Sequence, residues 1–388
     1  MVWEGVEPIN GSTGGYEING KFVATAAGLR TEPAAAFNDV VLTNWLASNR
    51  SVRFDKNQGW AKSIWVGGVN IGAVFFITGD SSDVTFKALH LSVPKNAGGD
   101  HFLPMAISFS ANWKRNSTVT GKSPHTAQFA AIPRKMTFSE VDFDGTLMGW
   151  QGNVRDATFD NVQSHRYGDL QDAQGANSGG VNKWFPPPHL FYLNYAGDGD
   201  PELFNSNIRI SNVVDSGPRV GVARDKGHGD GMSGFASSLK LGCTHCTVDH
   251  YSSTRPDGFM DVLPSDGLTV SNVTASFDSV FLNNVFPAGI RFPGNGYRHV
   301  IFENVILKDT SDAPTAGPIG NAPYATNDGI TFRHVTVVLN RWDGNPLPLP
   351  KIAGSGNDMK IDFSLPAQQR EAAFRLRDDG RWDPASPP

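Results

Sequence analysis

A short pattern of alternating apolar residues recurs along the second half of the chain and limits the possible folds more than any other feature. Each copy reads apolar, any, apolar, any, polar, apolar, and clear copies lie at 208–213, 268–273, 300–305 and 330–335. Residues 239–243 fit between the first two copies, so the fifth positions are spaced by 29 to 32 residues. A near-constant period with alternating apolar residues is typical of a β-solenoid, whose coils stack on one another.

Asparagine occupies the fifth position of the pattern at Asn212, Asn272 and Asn304. Asn tolerates left-handed backbone geometry and can bond to neighbouring backbone at a sharp bend, so these residues predict a ladder that stacks from coil to coil. The alternative, in which each Asn marks an unrelated turn, fits the even spacing less well. Less regular copies of the pattern occur earlier, at 86–89, 138–141 and 159–162.

We therefore expect an all-β fold, a single-stranded right-handed parallel β-helix with a short N-terminal capping helix and long side loops. A repeat fold of this kind accommodates the whole chain in one domain, because each coil packs mainly on its neighbours. The expected divisions of this single domain, 1–388, are an N-terminal cap with the first coils at 1–82, regular coils at 83–363 and a C-terminal tail at 364–388.

Interruptions of the pattern predict the helix and the loops. Apolar residues recur at helical spacing within 33–48, and a proline begins this segment, which predicts a helix that covers the open end of the core. The segments 92–135 and 167–200 interrupt the regular coils, and the second is rich in Gly, Pro and Asp. Long loops that leave a compact fold often carry function.

Composition narrows the classes of function. The formal net charge is -5 and the sequence pI is about 6.0, which is not the basic footprint of a nucleic-acid-binding protein. No apolar run approaches the roughly 18 residues of a membrane span. The first residues do not read as a signal peptide. We expect a secreted or periplasmic protein from which a signal has been removed, with no nucleic-acid or membrane partner.

Two sequence features invite a metal or redox interpretation. Cys243 and Cys246 have the spacing C-x-x-C, but a zinc site would need two further ligands and no second cysteine pair exists. We favour the interpretation that the two cysteines are small residues packed along a strand. Asp198, Asp200 and Glu202 alternate in a way that could hold Ca²⁺, although they lack a complete EF-hand loop. We predict no metal site and no cofactor, with Ca²⁺ as the alternative.

The repeat over roughly 83–363 resembles the pectin-lyase-like superfamily, which includes polygalacturonases, pectate lyases and phage tail depolymerases. Residues 254–261 are similar to the polygalacturonase motif Asn-Thr-Asp-Gly-Phe-Asp, and 277–283 are similar to Asp-Asp-Cys-Val-Ala-Ile-Asn. The resemblance implies that Asp278 is the general acid and that Asp257 orients or deprotonates water. Two carboxylates on adjacent coils could supply the acid and base of glycoside hydrolysis.

The sequence departs from that family at several positions. Ser279 replaces the second Asp of the pair, and residues 317–320 lack the Gly-His-Gly expected there. A Gly-His-Gly does occur upstream, at 227–229, followed by Asp230. The family's Arg-Ile-Lys is only approximated at 289–292, so pectin is not assumed to be the substrate.

These residues define the predicted site and three functions. The predicted catalytic residues are Asp257, Asp278, Asp230 and His228, and the predicted substrate-binding residues are Arg224, Lys226, Arg255, Arg291 and Trp184. The favoured function is hydrolysis of glycosidic bonds in a polysaccharide or oligosaccharide. The first alternative is a polysaccharide lyase that uses a Lys or Arg base on a uronate-containing glycan. The second is a solenoid that binds glycan without cleaving it.

Overall fold

The described part of the molecule consists of β-strands and the turns between some of them. The computed structural model describes residues 2–4, 15–18, 21–25, 43–53, 63–66, 69–77, 82–92, 102–109, 132–144, 148–165, 189–193, 204–216, 237–254, 258–277, 289–293, 296–310, 319–321, 329–339, 361–362, 373–376 and 382–384. Among these residues no helix is long and apolar enough to cross a membrane.

The described residues form 24 β-strands. In chain order they are β1 (Val2–Glu4), β2 (Gly15–Ile18), β3 (Lys21–Thr25), β4 (Thr43–Arg53), β5 (Ser63–Val66), β6 (Val69–Ile77), β7 (Ser82–Ser92), β8 (Phe102–Phe109), β9 (Arg134–Asp144), β10 (Met148–Gly152), β11 (Arg155–His165), β12 (Phe191–Leu193), β13 (Ser206–Asp215), β14 (Ser237–Leu241), β15 (Thr244–Ser253), β16 (Gly258–Val262), β17 (Asp266–Phe277), β18 (Ile290–Phe292), β19 (Val300–Asp309), β20 (Ile319–Asn321), β21 (Ile330–Leu339), β22 (Ile361–Asp362), β23 (Ala373–Leu376) and β24 (Trp382–Pro384).

Two sheets contain all of these strands except β2 and β3, which pair with each other. The first sheet has the order β1-β4-β7-β9-β11-β13-β15-β17-β19-β21-β23-β24, with β22 beside β21, and the second has the order β20-β18-β16-β14-β12-β10-β8-β6-β5. From β6 to β21 the chain alternates between the two sheets, and within each sheet successive strands of this region pair in parallel. The all-β prediction is confirmed for the described residues, and the arrangement is consistent with the predicted parallel β-solenoid.

The predicted capping helix at 33–48 is wrong over residues 43–48. No helix lies within the described residues, and 43–48 form the start of β4, which pairs in parallel with β7. Pairing along a neighbouring strand can override local helical spacing, because tertiary contacts outweigh weak propensities. The rest of the predicted helix, 33–42, lies outside the described residues.

The two predicted long loops each contain a strand of the second sheet. β8 lies within 92–135 and β12 lies within 167–200. Both strands pair in parallel with β10, one on each side. From β10 onward the second-sheet strands have at most five residues and are largely buried where burial is described, so they show little of the apolar and polar alternation that marks the first sheet in the sequence.

The predicted asparagine ladder is confirmed, with one correction. Asn212, Asn272 and Asn304 have φ of 53°, 52° and 54°, which is the left-handed region. Cys243 does not belong to this ladder, because residues 237–241 form β14 of the second sheet. The equivalent residue on β15 is His250, at φ 52°. The full column of left-handed residues, strand by strand from β9 to β21, is Glu140, Asn161, Asn212, His250, Asn272, Asn304 and His334.

Aromatic side chains fill the space between the two sheets in the earlier coils. Phe86, Phe138 and Phe159 stack from coil to coil, with ring centroids 5.0 Å and 5.1 Å apart. Trp150 of the second sheet meets Phe138 edge to face at 5.5 Å and stacks on Phe191 at 4.7 Å. Each such pair adds about 0.5–1.5 kcal/mol beyond its burial. The Phe138–Trp150 contact joins the two sheets, and the stacked pairs join successive coils within each sheet.

Candidate functional site

The predicted site residues belong to segments that connect the first sheet to the second, apart from Arg291, which lies on β18. All of these residues except Arg291 lie outside the described residues, but the strands on either side are described. Trp184 lies between β11 and β12, and Asp230 lies between β13 and β14. Asp257 lies between β15 and β16, and Asp278 lies between β17 and β18. The candidates therefore come from four successive crossings between the sheets.

The strand ends before these crossings are adjacent in space. β11, β13, β15 and β17 are parallel neighbours in register, and Ser164, Asp215, Ser253 and Ala275 are aligned near their C-terminal ends. Neighbouring strands of a sheet lie about 4.8 Å apart. The crossing that contains Asp257 and the crossing that contains Asp278 consequently begin on adjacent strands at one edge of the first sheet.

A row of polar side chains crosses the second sheet. Gln151, Tyr192, Lys240, Asp261 and Arg291 are aligned on β10, β12, β14, β16 and β18. The first three side chains are partly exposed, whereas the large apolar residues next to them on the same strands are buried. Because side chains alternate between the faces of a strand, this polar row lies on the face that points away from the core.

An ion pair at the end of the polar row is buried. The guanidinium Nη2 of Arg291 lies 2.5 Å from Oδ1 of Asp261, and the two side chains are only 4% and 3% exposed. Burial raises the pKa of Asp261, and the positive charges of Arg291 and Lys240 oppose that rise. The pair ties β16, which follows Asp257 directly, to β18, which follows the segment of Asp278.

The middle of the polar row presents an aromatic ring beside a cation. Nζ of Lys240 lies 5.1 Å from the centroid of the Tyr192 ring, within the range of a cation–π contact. His189 stacks on the same ring, with centroids 4.9 Å apart, and its Nδ1 lies 2.8 Å from the carbonyl oxygen of Ser237. These contacts hold the Tyr192 ring in one orientation at the surface of the second sheet.

A second buried polar cluster stands at the two ends of the segment that carries His228 and Asp230. Ser238 Oγ contacts a carboxylate oxygen of Asp215 and lies 2.6 Å from the hydroxyl of Tyr251, and all three residues are buried. Asp215 ends β13 and Ser238 lies at the start of β14. The cluster therefore joins the two strands that bracket 217–236 and fixes where that segment leaves and re-enters the sheets.

The structure describes one of the predicted site residues and adds three that sequence reasoning missed. Arg291, predicted to bind substrate, is buried against Asp261. Asp261, Lys240 and Tyr192 were not predicted. Asp261 is the last residue of the 254–261 motif, which was the available signal, but nothing in the sequence indicated that Lys240 and Arg291 would be aligned on either side of it.

The described residues contain no group of three or more side chains that could hold a metal ion. Cys243 and Cys246 are free and buried, and burial is the main cause of the raised pKa of the Cys243 thiol, which makes it a weak nucleophile. Asp198, Asp200 and Glu202, the alternative Ca²⁺ ligands, lie outside the described residues. The burial of both thiols fits their interpretation as packed small residues.

No protein-family model matches this chain, and neither a curated protein nor a solved structure matches it. The resemblance to pectin-lyase-like proteins therefore rests on the motifs at 254–261 and 277–283 and on the alternation of parallel strands between two sheets.

Proposed function

We propose that this protein is a carbohydrate-active enzyme that hydrolyses glycosidic bonds of a polysaccharide or oligosaccharide on a right-handed parallel β-helix. The observation that supports this most is the succession of crossings. The segments with Asp257 and Asp278 leave the first sheet from adjacent parallel strands, β15 and β17. Two carboxylates on neighbouring coils can act as the acid and base that glycoside hydrolysis requires. The proposed partner is a glycan, and the proposed location is secreted or periplasmic.

The buried ion pair has a positioning role in this proposal. Asp261 follows Asp257 by one short strand, and Arg291 lies on the strand after the Asp278 segment. Their contact links the two strands that follow the proposed catalytic carboxylates. Catalytic groups must be held within about 0.5 Å of a productive arrangement, and buried charge pairs with good geometry supply such restraint.

The cations of the polar row favour a second candidate, a polysaccharide lyase. Lys240 and Arg291 place two positive charges around the single carboxylate of Asp261, and Lys240 is partly exposed. A lyase needs positive charge to stabilise the carboxylate of a uronate while a base removes the adjacent proton. In this alternative Lys240, together with Arg224, Lys226 or Arg255, would act on the substrate in place of the paired aspartates.

A polysaccharide panel distinguishes these functions. Purified protein is incubated with acidic and neutral glycans while reducing ends and ultraviolet absorbance of unsaturated sugars are followed together. Reducing ends without absorbance support hydrolysis, and both signals rising together support the lyase. Glycan binding with neither signal would contradict both enzymatic proposals and favour a binding solenoid.

Two substitutions then test the residue assignment. Asp257→Asn and Asp278→Asn are each expected to lower turnover by at least about 100-fold, because positioned acid–base groups contribute roughly 10²–10⁴-fold. Glu303→Gln is the matched control, since Glu303 is a partly exposed carboxylate on β19, within the first sheet. Full activity in either aspartate variant would refute its catalytic role.

A further inference from the structure

A serine, a histidine and an aspartate from three successive coils lie in a row of contacts at the C-terminal ends of neighbouring first-sheet strands. Ser216 follows β13, His165 ends β11 and Asp142 lies on β9. Oγ of Ser216 lies 3.4 Å from Nδ1 of His165, and Nε2 of the same ring lies 3.4 Å from Oδ1 of Asp142. The side chains of His165 and Asp142 are 49% and 35% exposed, so solvent and substrate can reach them.

The three groups occur in the order hydroxyl, imidazole, carboxylate. A neutral His165 that donates its Nε2 proton to Asp142 leaves Nδ1 free to accept a proton from Ser216. This is the arrangement in which a histidine activates a serine hydroxyl and a carboxylate orients the histidine. We propose that Ser216, His165 and Asp142 form a hydrolytic site for carboxylic esters. This activity is independent of the glycosidase proposal, because it uses none of the same residues.

The proposed reaction consumes one water and needs no other co-reactant. Ser216 Oγ bonds to the acyl carbon as its proton passes to His165 Nδ1. The ester C–O bond breaks, and the departing oxygen takes that proton and leaves as an alcohol. Water then attacks the acyl-serine and gives a proton to His165. The serine oxygen recovers this proton as the carboxylic acid leaves.

The distances fit a site that tightens when substrate binds. At 3.4 Å the Ser216–His165 contact is longer than a normal hydrogen bond, and the His165–Asp142 contact has an ion-pair distance without hydrogen-bond geometry. Catalytic hydrogen bonds are often long or poorly aligned before substrate is present. Oγ of Ser216 is also 3.4 Å from the carbonyl oxygen of Ser164, so the hydroxyl has two acceptors at equal distance. Rotation about the Cβ–Oγ bond directs the hydroxyl proton to the imidazole of His165 instead of the carbonyl oxygen.

The chain offers a matched control for this serine. Ser276 occupies the equivalent place two coils further along, and its Oγ likewise lies 3.4 Å from a carbonyl oxygen, that of Ser253. The residue on the strand before it is Thr254 where Ser216 has His165. Ser276 therefore shares the backbone setting of Ser216 but has a threonine in the place of the histidine.

The test uses full-length protein, a biotin-tagged fluorophosphonate that labels activated serines, and 4-nitrophenyl acetate as the ester. We expect the probe to label the peptide that contains Ser216, and we expect Ser216→Ala to abolish both labelling and the saturable part of ester hydrolysis. His165→Gln should slow labelling by roughly 10²–10⁴-fold. Ser276→Ala should label as the wild type does.

The role of Asp142 as a positioning residue is tested by conservative rescue. Asp142→Asn should lower kcat for the ester, whereas Asp142→Glu should restore part of it with an unchanged thermal unfolding midpoint. Absence of labelling in the wild-type protein would overturn the proposal, as would labelling that persists in Ser216→Ala. These results do not depend on whether the protein cleaves glycans, so the two proposals fail separately.

Discussion

Removing Arg291 from its buried ion pair should destabilise the fold more than any exposed charge substitution. At 2.5 Å and an effective dielectric constant of about 20, the attraction between two unit charges is about 7 kcal/mol. Burial still raises the pKa of Asp261 despite this attraction and the nearby Lys240, so desolvation of the carboxylate is the larger effect. Arg291→Met leaves that carboxylate with less compensation, and we expect a loss of about 3–5 kcal/mol.

Two further variants make this reasoning testable. In Asp261→Val/Arg291→Met no buried charge of the pair remains, so the free energy of unfolding should return to within about 1 kcal/mol of the wild type or exceed it. Arg298→Met is the control, because Arg298 pairs with Asp266 at 3.4 Å while 74% exposed, and its loss should cost less than about 1 kcal/mol. Urea unfolding followed by fluorescence and by circular dichroism supplies the free energies and checks cooperativity.

The pH dependence of the same variants has a defined sign. The folded-state pKa of Asp261 is raised above its ordinary value of 3.8, so between the two values the folded state binds more protons than the unfolded state. Stability from this group is therefore fully present below the unfolded pKa and is lost as pH rises through the folded pKa. Arg291→Met should raise the folded-state pKa of Asp261 further and so widen the pH range over which this stability is lost. Equal losses for Arg291→Met and Arg298→Met, or a double variant as unstable as Arg291→Met, would refute the reasoning.

Three other predictions follow from the first and second sheets. Gly152→Ala should destabilise the fold or prevent folding, because Gly152 has φ of 113° and a Cβ there would lie 2.2 Å from the carbonyl oxygen of Phe109; thermal unfolding measures the loss. Asn272→Ala should cost roughly 1–2 kcal/mol from left-handed strain, whereas Asn272→Gly should recover most of it; a similar urea midpoint for both would contradict this. The hydrogen bond from His299 lowers the pKa of Asp266, so His299→Ala should raise that pKa in an NMR titration, and the stability it provides should be present at neutral pH and lost as pH falls through the folded pKa.

The sequence by itself determined four strands of the first sheet and the bends within three of them. β13, β17, β19 and β21 coincide with the four clear copies of the pattern. These strands have one buried and one exposed face, so the alternation of apolar and polar residues is visible in the chain. The bends at Asn212, Asn272 and Asn304 were predictable because few residues other than Gly, Asn and Asp accept left-handed geometry readily. Glu140, His250 and His334 occupy the same left-handed position with residue types that give no such signal.

The second sheet could not be read in the same way, because from β10 onward its strands have at most five residues, which is too few to show a clear alternation. All five residues of β16 are buried, and β14 was mistaken for a copy of the first-sheet pattern. The alignment of Lys240, Asp261 and Arg291 was decided by the tertiary structure, since it depends on how many residues each turn uses to return to the sheet. The contact of Ser216 with His165 likewise spans 51 residues of chain, and parallel register brings those residues together where local sequence cannot.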